Sequence, residues 1–319
     1  MTSRVTGEPT AAHSSSLARD CARLDSSLAR RSEPLDDRAS SAETGCEIWG
    51  VINVTPDSFS DGGAFLAVDA ALLHAMRLLR EGANVLDIGG ESSRPPGATY
   101  GAVRPVTEAE ELNRVLPVIE GLRAYGARIS IDTVKPVVAE RAVRAGAAII
   151  NDVSCGRSEA LLRVAAESGA ELVLMHNRGR GERSAENTSY VDVAREVRDE
   201  LMGAIDRAVT SGVKPEQIWV DPGVGFAKTA AQSAAVLART DLLVQTGHRV
   251  LVGASRKSFI AELAPLASGR APDAQQRLGG SAAAMAIAVW LGAQAVRVHD
   301  VLELRQATAV AAQLREARP

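Results

Sequence analysis

The sequence predicts an α/β fold, a (β/α)8 TIM barrel preceded by a short N-terminal extension over residues 1–45. Two observations lead to it. A unit recurs along the chain, in which a helical stretch ends in glycine, a short apolar run follows, and the run ends in polar residues. Eight such runs occur, each apolar on both faces, as strands of a buried parallel sheet are. The length of 319 residues suits one barrel of about 250 residues plus an extension. A doubly wound open sheet is the structural alternative, and it leaves two edges on a sheet this long.

In chain order, strands are predicted near Glu47–Asn53, Asn84–Ile88, Arg128–Asp132, Ala148–Asn151, Glu171–His176, Gln217–Asp221, Arg249–Gly253 and Ala295–His299. Between them apolar residues recur at helical spacing, as at Leu72, Leu73, Met76 and Leu79, and at Leu112, Val115, Leu116 and Ile119. The helix ends are marked by Gly82, Gly126, Gly146, Gly169, Gly212, Gly247 and Gly292. Glycine there takes the left-handed backbone that closes a helix. The run Ala282–Ala293 is too short to span a bilayer and reads as a buried helix.

Residues 1–45 are rich in Ser, Arg, Ala and Asp and read as a disordered tail. Leu17, Cys21, Leu24 and Leu28 could line one face of a short helix there. Asp20, Asp25 and Glu33 argue against a transit peptide. Residues 46–319 form the catalytic domain of this reading. The net charge of −3 calls for neither nucleic acid nor a membrane surface as partner. Cys21, Cys46 and Cys155 make no disulfide framework or zinc site, which points to a reducing, cytoplasmic compartment. Only four of the 36 basic residues are lysines, at 135, 214, 228 and 257, so each is worth locating.

Barrel active sites lie at the C-terminal ends of the strands. Here those ends carry Asn53, Asp87, Asp132, Asn151-Asp152, His176-Asn177, Asp221, Ser255–Lys257, Arg297 and His299. Helix caps explain some of the Asp, Asn and Ser, but not Arg, Lys and His beside them. The charges divide by strand. Asp132, Asn151 and Asp221 offer acceptors to a flat heterocycle rich in N–H donors. Arg256, Lys257, Arg297 and His299 follow strands 7 and 8, where barrels commonly hold phosphate. The loops at 55–63 and 89–98 are rich in Gly, Pro and Ser, as mobile lids are, and Phe59 at the first is suited to a substrate wall.

Eight segments, in order, resemble dihydropteroate synthases. They are Asn53-Val-Thr-Pro-Asp-Ser-Phe-Ser-Asp-Gly-Gly63, Asp87-Ile-Gly-Gly-Glu-Ser-Ser-Arg-Pro95, Ser130-Ile-Asp-Thr133, Ile150-Asn-Asp152, Leu174-Met-His-Asn-Arg178, Asp221-Pro-Gly-Val-Gly-Phe226, Ser255-Arg-Lys-Ser-Phe259 and Arg297-Val-His-Asp300. The resemblance covers residues 46–316. It implies a transferase of folate biosynthesis, condensing 7,8-dihydropterin-6-ylmethyl diphosphate with 4-aminobenzoate to dihydropteroate and pyrophosphate. It also implies Mg2+, a homodimer and inhibition by sulfonamides.

Residue by residue, the resemblance assigns pterin contacts to Asp132, Asn151, Asp221 and Lys257, with Met175 and Phe226 packed near the ring. Asn53, Ser93, Arg297 and His299 would hold the diphosphate, Asn53 lying near Mg2+. Phe59, Pro95, Lys257 and Ser258 would form the aminobenzoate pocket. Asp61 could stabilise a cation on the pterin methylene, so that Asp61, Lys257, Arg297 and His299 make up the catalytic set. Ser93 replaces a usual Thr, Pro95-Pro96 lengthens the second loop, and Ala227 and Cys155 replace usual glycines. Two alternatives stay open. One is a methyltetrahydrofolate methyltransferase domain, which shares the barrel. The other is a catalytically silent pterin-binding paralogue.

Overall fold

A computed structural model describes residues 45–55, 63–91, 105–123, 125–179 and 184–318, with backbone alone at 63–66. The tail expected over 1–45, its short helix included, lies outside the described residues apart from Gly45.

The strands are β1 (Glu47–Asn53), β2 (Val85–Gly89), β3 (Arg128–Asp132), β4 (Ile149–Asp152), β5 (Glu171–Met175), β6 (Ile218–Asp221), β7 (Arg249–Val252) and β8 (Ala295–Val298). They pair in parallel, in chain order, and β8 returns to β1 to close the barrel. Helices α1 (Gly63–Arg80), α2 (Glu108–Arg123), α3 (Pro136–Ala145), α4 (Glu159–Ser168) and α5 (Val193–Thr210) each follow one strand. Two helices follow β6, α6 (Ala230–Ala238) and α7 (Asp241–Val244). Two follow β7, α8 (Ser258–Leu263) and α9 (Leu278–Trp290), before α10 (Val301–Glu316) ends the last unit. All seven glycines at the helix ends have φ between +62° and +126°, so each occupies backbone that a side chain resists.

Six strands differ from prediction by one residue, β5, β6, β7 and β8 at one end and β2 and β4 at both. Asn84 precedes β2 because its side chain accepts from Ile48 N–H at 2.7 Å, capping the neighbouring strand. Gln217 belongs to the 3-10 turn at Pro215–Gln217 that leads into β6. Leu73, read as part of an apolar face, is exposed, because the buried stripe of α1 runs through Ala71, Ala75 and Leu78. Helix α9 buries Ala284, Met285, Ala288 and Val289, while Ile287 is 48% exposed.

Two cores result. One lies between barrel and helices, with Ile48, Leu86, Ile129 and Ile131 from the strands against Leu78, Ile119 and Leu304 from the helices. The other fills the barrel and contains Trp49, Val85, Ile149, Val173, Trp219 and Leu251. Side chains alternate in and out along each strand, so the closed register stacks the inward ones in layers drawn from alternate strands.

The floor of the barrel comes from the first residues of the odd strands. Arg128 donates to Glu47 at 2.9 Å and to Glu171 at 2.5 Å, and Arg249 reaches Glu171 at 2.7 Å. Trp49 Nε1–H donates to Glu47 at 2.9 Å and Trp219 Nε1–H to Glu171 at 2.5 Å. The two indole rings meet edge-on, 5.4 Å apart. Burial alone would raise the Glu171 pKa, but the bonds from Trp219 and Arg128 outweigh it and lower it.

A carboxylate held below its ordinary pKa contributes stability that is complete above the unfolded value and lost as pH falls through the native one. Arg128→Ala is therefore expected to cost about 1–3 kcal/mol at neutral pH. The deficit should shrink in acid as pH falls through the lowered native pKa of Glu171. Urea denaturation of both proteins at pH 7 and in steps downward from about pH 4 measures this. Equal midpoints at pH 7 would show that the floor network does not support the barrel.

Candidate active site

Above the apolar filling the inward residues turn polar. The even strands supply one layer, Asp87 (β2), Asn151 (β4), Asp221 (β6) and Arg297 (β8), all inward by the same register. The odd strands follow with Asp132 and Met175, and with Gly253 just beyond β7. A side chain on Gly253 would meet Asp221 Oδ2 and Arg297 Cβ at 3.7 Å, so glycine leaves room for the charged groups to converge.

Arg297 is the hub. Its Nε–H donates to Asp87 Oδ2 at 2.5 Å and its second terminal nitrogen to Asp132 Oδ2 at 3.0 Å. Asn151 Nδ2–H donates to the same Asp87 oxygen at 3.2 Å. Burial opposes charge on Arg297, but Asp87 and Asp132 outweigh it and raise its pKa. The expected division into an acidic and a basic half is thus corrected. Arg297 does not stand apart with the phosphate-facing cations but lies between two of the acids. Arg256 is likewise taken, its Nε–H donating to Asp300 at 2.9 Å.

The turn after β6 forms one wall. Asp221 Oδ1 accepts from Gly223 N–H at 2.6 Å, and Phe226 N–H closes the turn on Gly223 O at 3.0 Å. Gly223 has φ +63°, and a Cβ there would overlap His176 O at 1.9 Å, so only glycine fits. Lys257 donates to Val224 O at 2.5 Å, with its ammonium 4.6 Å from the Phe226 ring centre. Burial pulls the Lys257 pKa down to about 8, against the opposing pull of Asp221. Burial raises the Asp221 carboxyl, and Lys257 moderates that rise.

Asp132, Asn151, Met175, Asp221, Phe226 and Lys257, assigned to the pterin by resemblance, therefore stand at the same end of the barrel as Arg297. His299 N–H donates to Ser255 Oγ at 3.2 Å, and its Nδ1 lies 3.2 Å from the same oxygen. Asn53 ends β1 half-buried, and Ser258 opens α8 in an exposed position. Phe59, Asp61, Ser93 and Pro95 lie outside the described residues.

Other strand-end residues serve the backbone rather than the mouth. Asp152 caps the N–H groups of Ser154 and Gly156 at 2.8 and 2.7 Å. Asn177 donates to Val153 O at 3.3 Å. His176 is wholly buried and faces away from the barrel axis, toward Glu200 on α5 and Lys228. Cys155, whose exposure the sequence left open, is buried, with φ +65°. Sequence reasoning gave Asp87 no role of its own. Its signal is parity, since it holds the same inward position on β2 that Asn151, Asp221 and Arg297 hold on theirs.

Of the remaining lysines, Lys135 binds Glu91 and the buried Glu111, both at 2.5 Å. Arg114 donates to Gly90 O at 2.7 Å. Together they fasten the start of the loop after β2.

The family model for pterin binding enzymes matches residues 49–299. The dihydropteroate synthase of Mycobacterium leprae is 44% identical over 259 residues, covering 80% of this chain and 88% of that protein. The Xanthomonas albilineans dihydropteroate synthase, solved with 4-aminobenzoic acid, superposes with a TM-score of 0.76 at 42% identity, over 86% of this chain and 94% of that one. The same enzyme in complex with 7,8-dihydropteroate gives 0.74 at 40% identity, over 86% and 95%. An interleaved acid–base layer at the mouth of a closed barrel, and relatives of this identity over most of their length, lead to one statement: the chain belongs to the pterin binding enzyme family, with the dihydropteroate synthases.

Proposed function

We propose that the chain condenses 7,8-dihydropterin-6-ylmethyl diphosphate with 4-aminobenzoate, giving 7,8-dihydropteroate and pyrophosphate. The observation that carries this is the polar layer at the barrel mouth. Among the described residues it gathers the carboxylates of Asp87, Asp132 and Asp221 around Arg297 and Lys257, with Lys228 behind Asp221. Buried Asp87 Oδ1 has no hydrogen-bond partner among the described residues. A pterin ring presents amino and ring N–H donors to such acceptors, and Met175 and Phe226 supply flanking apolar surface.

The same carboxylates suit the reaction. The bond between methylene carbon and diphosphate oxygen breaks, and its electron pair leaves with pyrophosphate. The electron-rich ring shares the resulting cation, which the surrounding carboxylates stabilise. The lone pair of the aryl amine forms the new C–N bond, and the amine then sheds a proton to solvent or to the departing phosphate. Lys257, anchored on Val224 O beside Phe226, orients both partners. His299, with Asn53 and Ser93, would hold the diphosphate. Arg297 contributes positive potential there from its place between the acids, and Asp61 adds negative charge near the methylene. Phe59, Pro95 and Ser258 complete the aminobenzoate pocket.

Mg2+ is part of the proposal. Among the described residues no three His, Cys, Asp or Glu side chains cluster as a metal site. Asn53, half-buried at the end of β1, would give one protein oxygen to an ion otherwise held by substrate phosphates, as Mg2+ commonly is. When bound it would neutralise charge on the leaving diphosphate. We also propose a homodimer. An apolar groove of about 260 Å3 between α6, α8 and α9, lined by Phe259, Leu263, Ala284 and Ile287, supports a second copy there. No helix among the described residues is long and apolar enough to cross a membrane. Cys46 and Cys155 are buried free thiols, which supports a cytoplasmic location.

Pyrophosphate release with dihydropterin diphosphate and Mg2+, with and without 4-aminobenzoate, tests the activity. Release that requires aminobenzoate and yields dihydropteroate is expected; pterin binding without turnover would make this a silent relative. Two further outcomes follow. Asp132→Asn and Arg297→Met should be strongly non-additive in pterin affinity, with a coupling of about 1–3 kcal/mol in a double-mutant cycle. Additive losses would separate the two residues functionally. Lys257 is charged below its native pKa of about 8 and neutral above it. Pterin affinity, followed by calorimetry from pH 7 to 9.5, should therefore weaken as pH rises through about 8, and a flat profile would remove the ammonium from recognition.

A further inference from the structure

Lys228 lies behind the wall of the mouth and is one of the largest wholly buried side chains of the protein. A buried ammonium is costly unless each of its hydrogens finds an acceptor. Lys228 Nζ has three acceptors at bonding distance, His176 Nδ1 at 2.9 Å, Gly223 O at 3.1 Å and Phe226 O at 3.1 Å. An ammonium fills all three, whereas a neutral amine could donate to only two.

The histidine is set for this by its other side. His176 Nε2 lies 3.0 Å from Glu200 Oε2. Burial alone would raise Glu200, but the bonds from His176 and Arg178 outweigh it and bring its pKa down to about 2. Glu200 is therefore an acceptor only, and burial keeps His176 neutral by lowering its pKa to about 4. The proton of the ring stands on Nε2, and the Nδ1 lone pair is left for Lys228. Arg178 holds Glu200 in turn, and also donates to Glu196 at 2.7 Å.

At the other end, the two carbonyls that Lys228 binds are those of Gly223 and Phe226, the ends of the turn after β6. Every group that this turn offers to the mouth lies between them or beside them: Asp221 bonded to Gly223 N–H, Val224 O holding Lys257, and the Phe226 ring. The turn is not at rest in its conformation. Ala227 has φ +45°, a left-handed backbone that costs a side-chain-bearing residue and persists where surroundings impose it. Tyr190 O–H donates to Ala227 O at 3.0 Å, pinning the same residue.

We infer that Lys228 is a positioning residue: with His176 and Glu200 it forms a buried strut from α5 to the turn 223–226, and so sets Phe226 and Lys257 in place for the pterin and the incoming amine. The inference rests on the pterin reading of the pocket. The strut touches neither substrate, so its loss acts through geometry. Methionine at 228 fills similar volume and supplies no donor. Asparagine at 176 places an oxygen near the position of Nδ1, whereas leucine supplies no acceptor.

The test is calorimetric affinity for a 7,8-dihydropterin, together with kcat and KM for 4-aminobenzoate, in the full chain and in Lys228→Met, His176→Asn and His176→Leu. Lys228→Met and His176→Leu are expected to weaken pterin binding at least tenfold and to raise KM for aminobenzoate more than they lower kcat. His176→Asn should stay within about threefold of the unaltered protein. Melting temperatures are measured alongside, because a purely structural role would lower them without moving affinity in the folded protein. If Lys228→Met does not fold, the His176 pair carries the test, and equal affinities in Asn and Leu overturn the strut. Wild-type affinities in folded Lys228→Met overturn it as well. An unaltered protein that binds no dihydropterin would instead overturn the pterin reading, and the strut's purpose with it.

Discussion

A guanidinium held between two carboxylates sets the terms for the rest of this site. Arg297 bonds Asp87 and Asp132, which stand on β2 and β3, and it does so from β8 across the open mouth of the barrel. A contact of that span forms only if the sheet closes in one register. Slipping any strand by a single residue would turn its inward side chains outward. The ion cluster and the barrel therefore depend on one another: closure brings the charges together, and their pairing favours that one closure. Buried ion pairs are a poor source of stability against apolar packing, but they discriminate strongly between alternative arrangements.

Around that hub the protein separates two tasks. The floor of the barrel is built for permanence, with every charge of Glu47, Arg128 and Glu171 matched by another and two indoles locked between them. The mouth keeps a buried acceptor, Asp87 Oδ1, without a hydrogen-bond partner among the described residues. The turn after β6 lies between these extremes. Its front carries Phe226 beside Lys257, its back is bonded to Lys228, and Ala227 next to it takes a left-handed backbone.

Much of this could be read from the chain itself. All eight strands, the seven helix-closing glycines and the polar strand ends were legible because short apolar runs and the glycines that close the preceding helices are local signals. What local signals could not give was the pairing of charges. Arg297 lies near the end of β8 and is grouped with Lys257 and Arg256 by position, whereas its partners lie 165 and 210 residues away. His176 and Asp152 were counted toward the mouth because strand ends cluster in sequence. One residue beyond an inward Met175 or Asn151, however, the side chain points the other way. The strut was hidden for a similar reason, as Glu200 sits inside an amphipathic helix whose charged residues look like any solvated face.

The three tryptophans make a last point. Trp49 and Trp219 lie in the floor, hydrogen-bonded to Glu47 and Glu171, and Trp290 lies on the outer helix α9 under the guanidinium of Arg318. None belongs to the wall of the mouth. The intrinsic fluorescence of the protein is therefore a gauge of whether the barrel is shut at its base. It reports on assembly of the cylinder from one layer below the polar mouth, since Trp49 is the register partner of Arg297 and Trp219 stands two residues before Asp221 on β6.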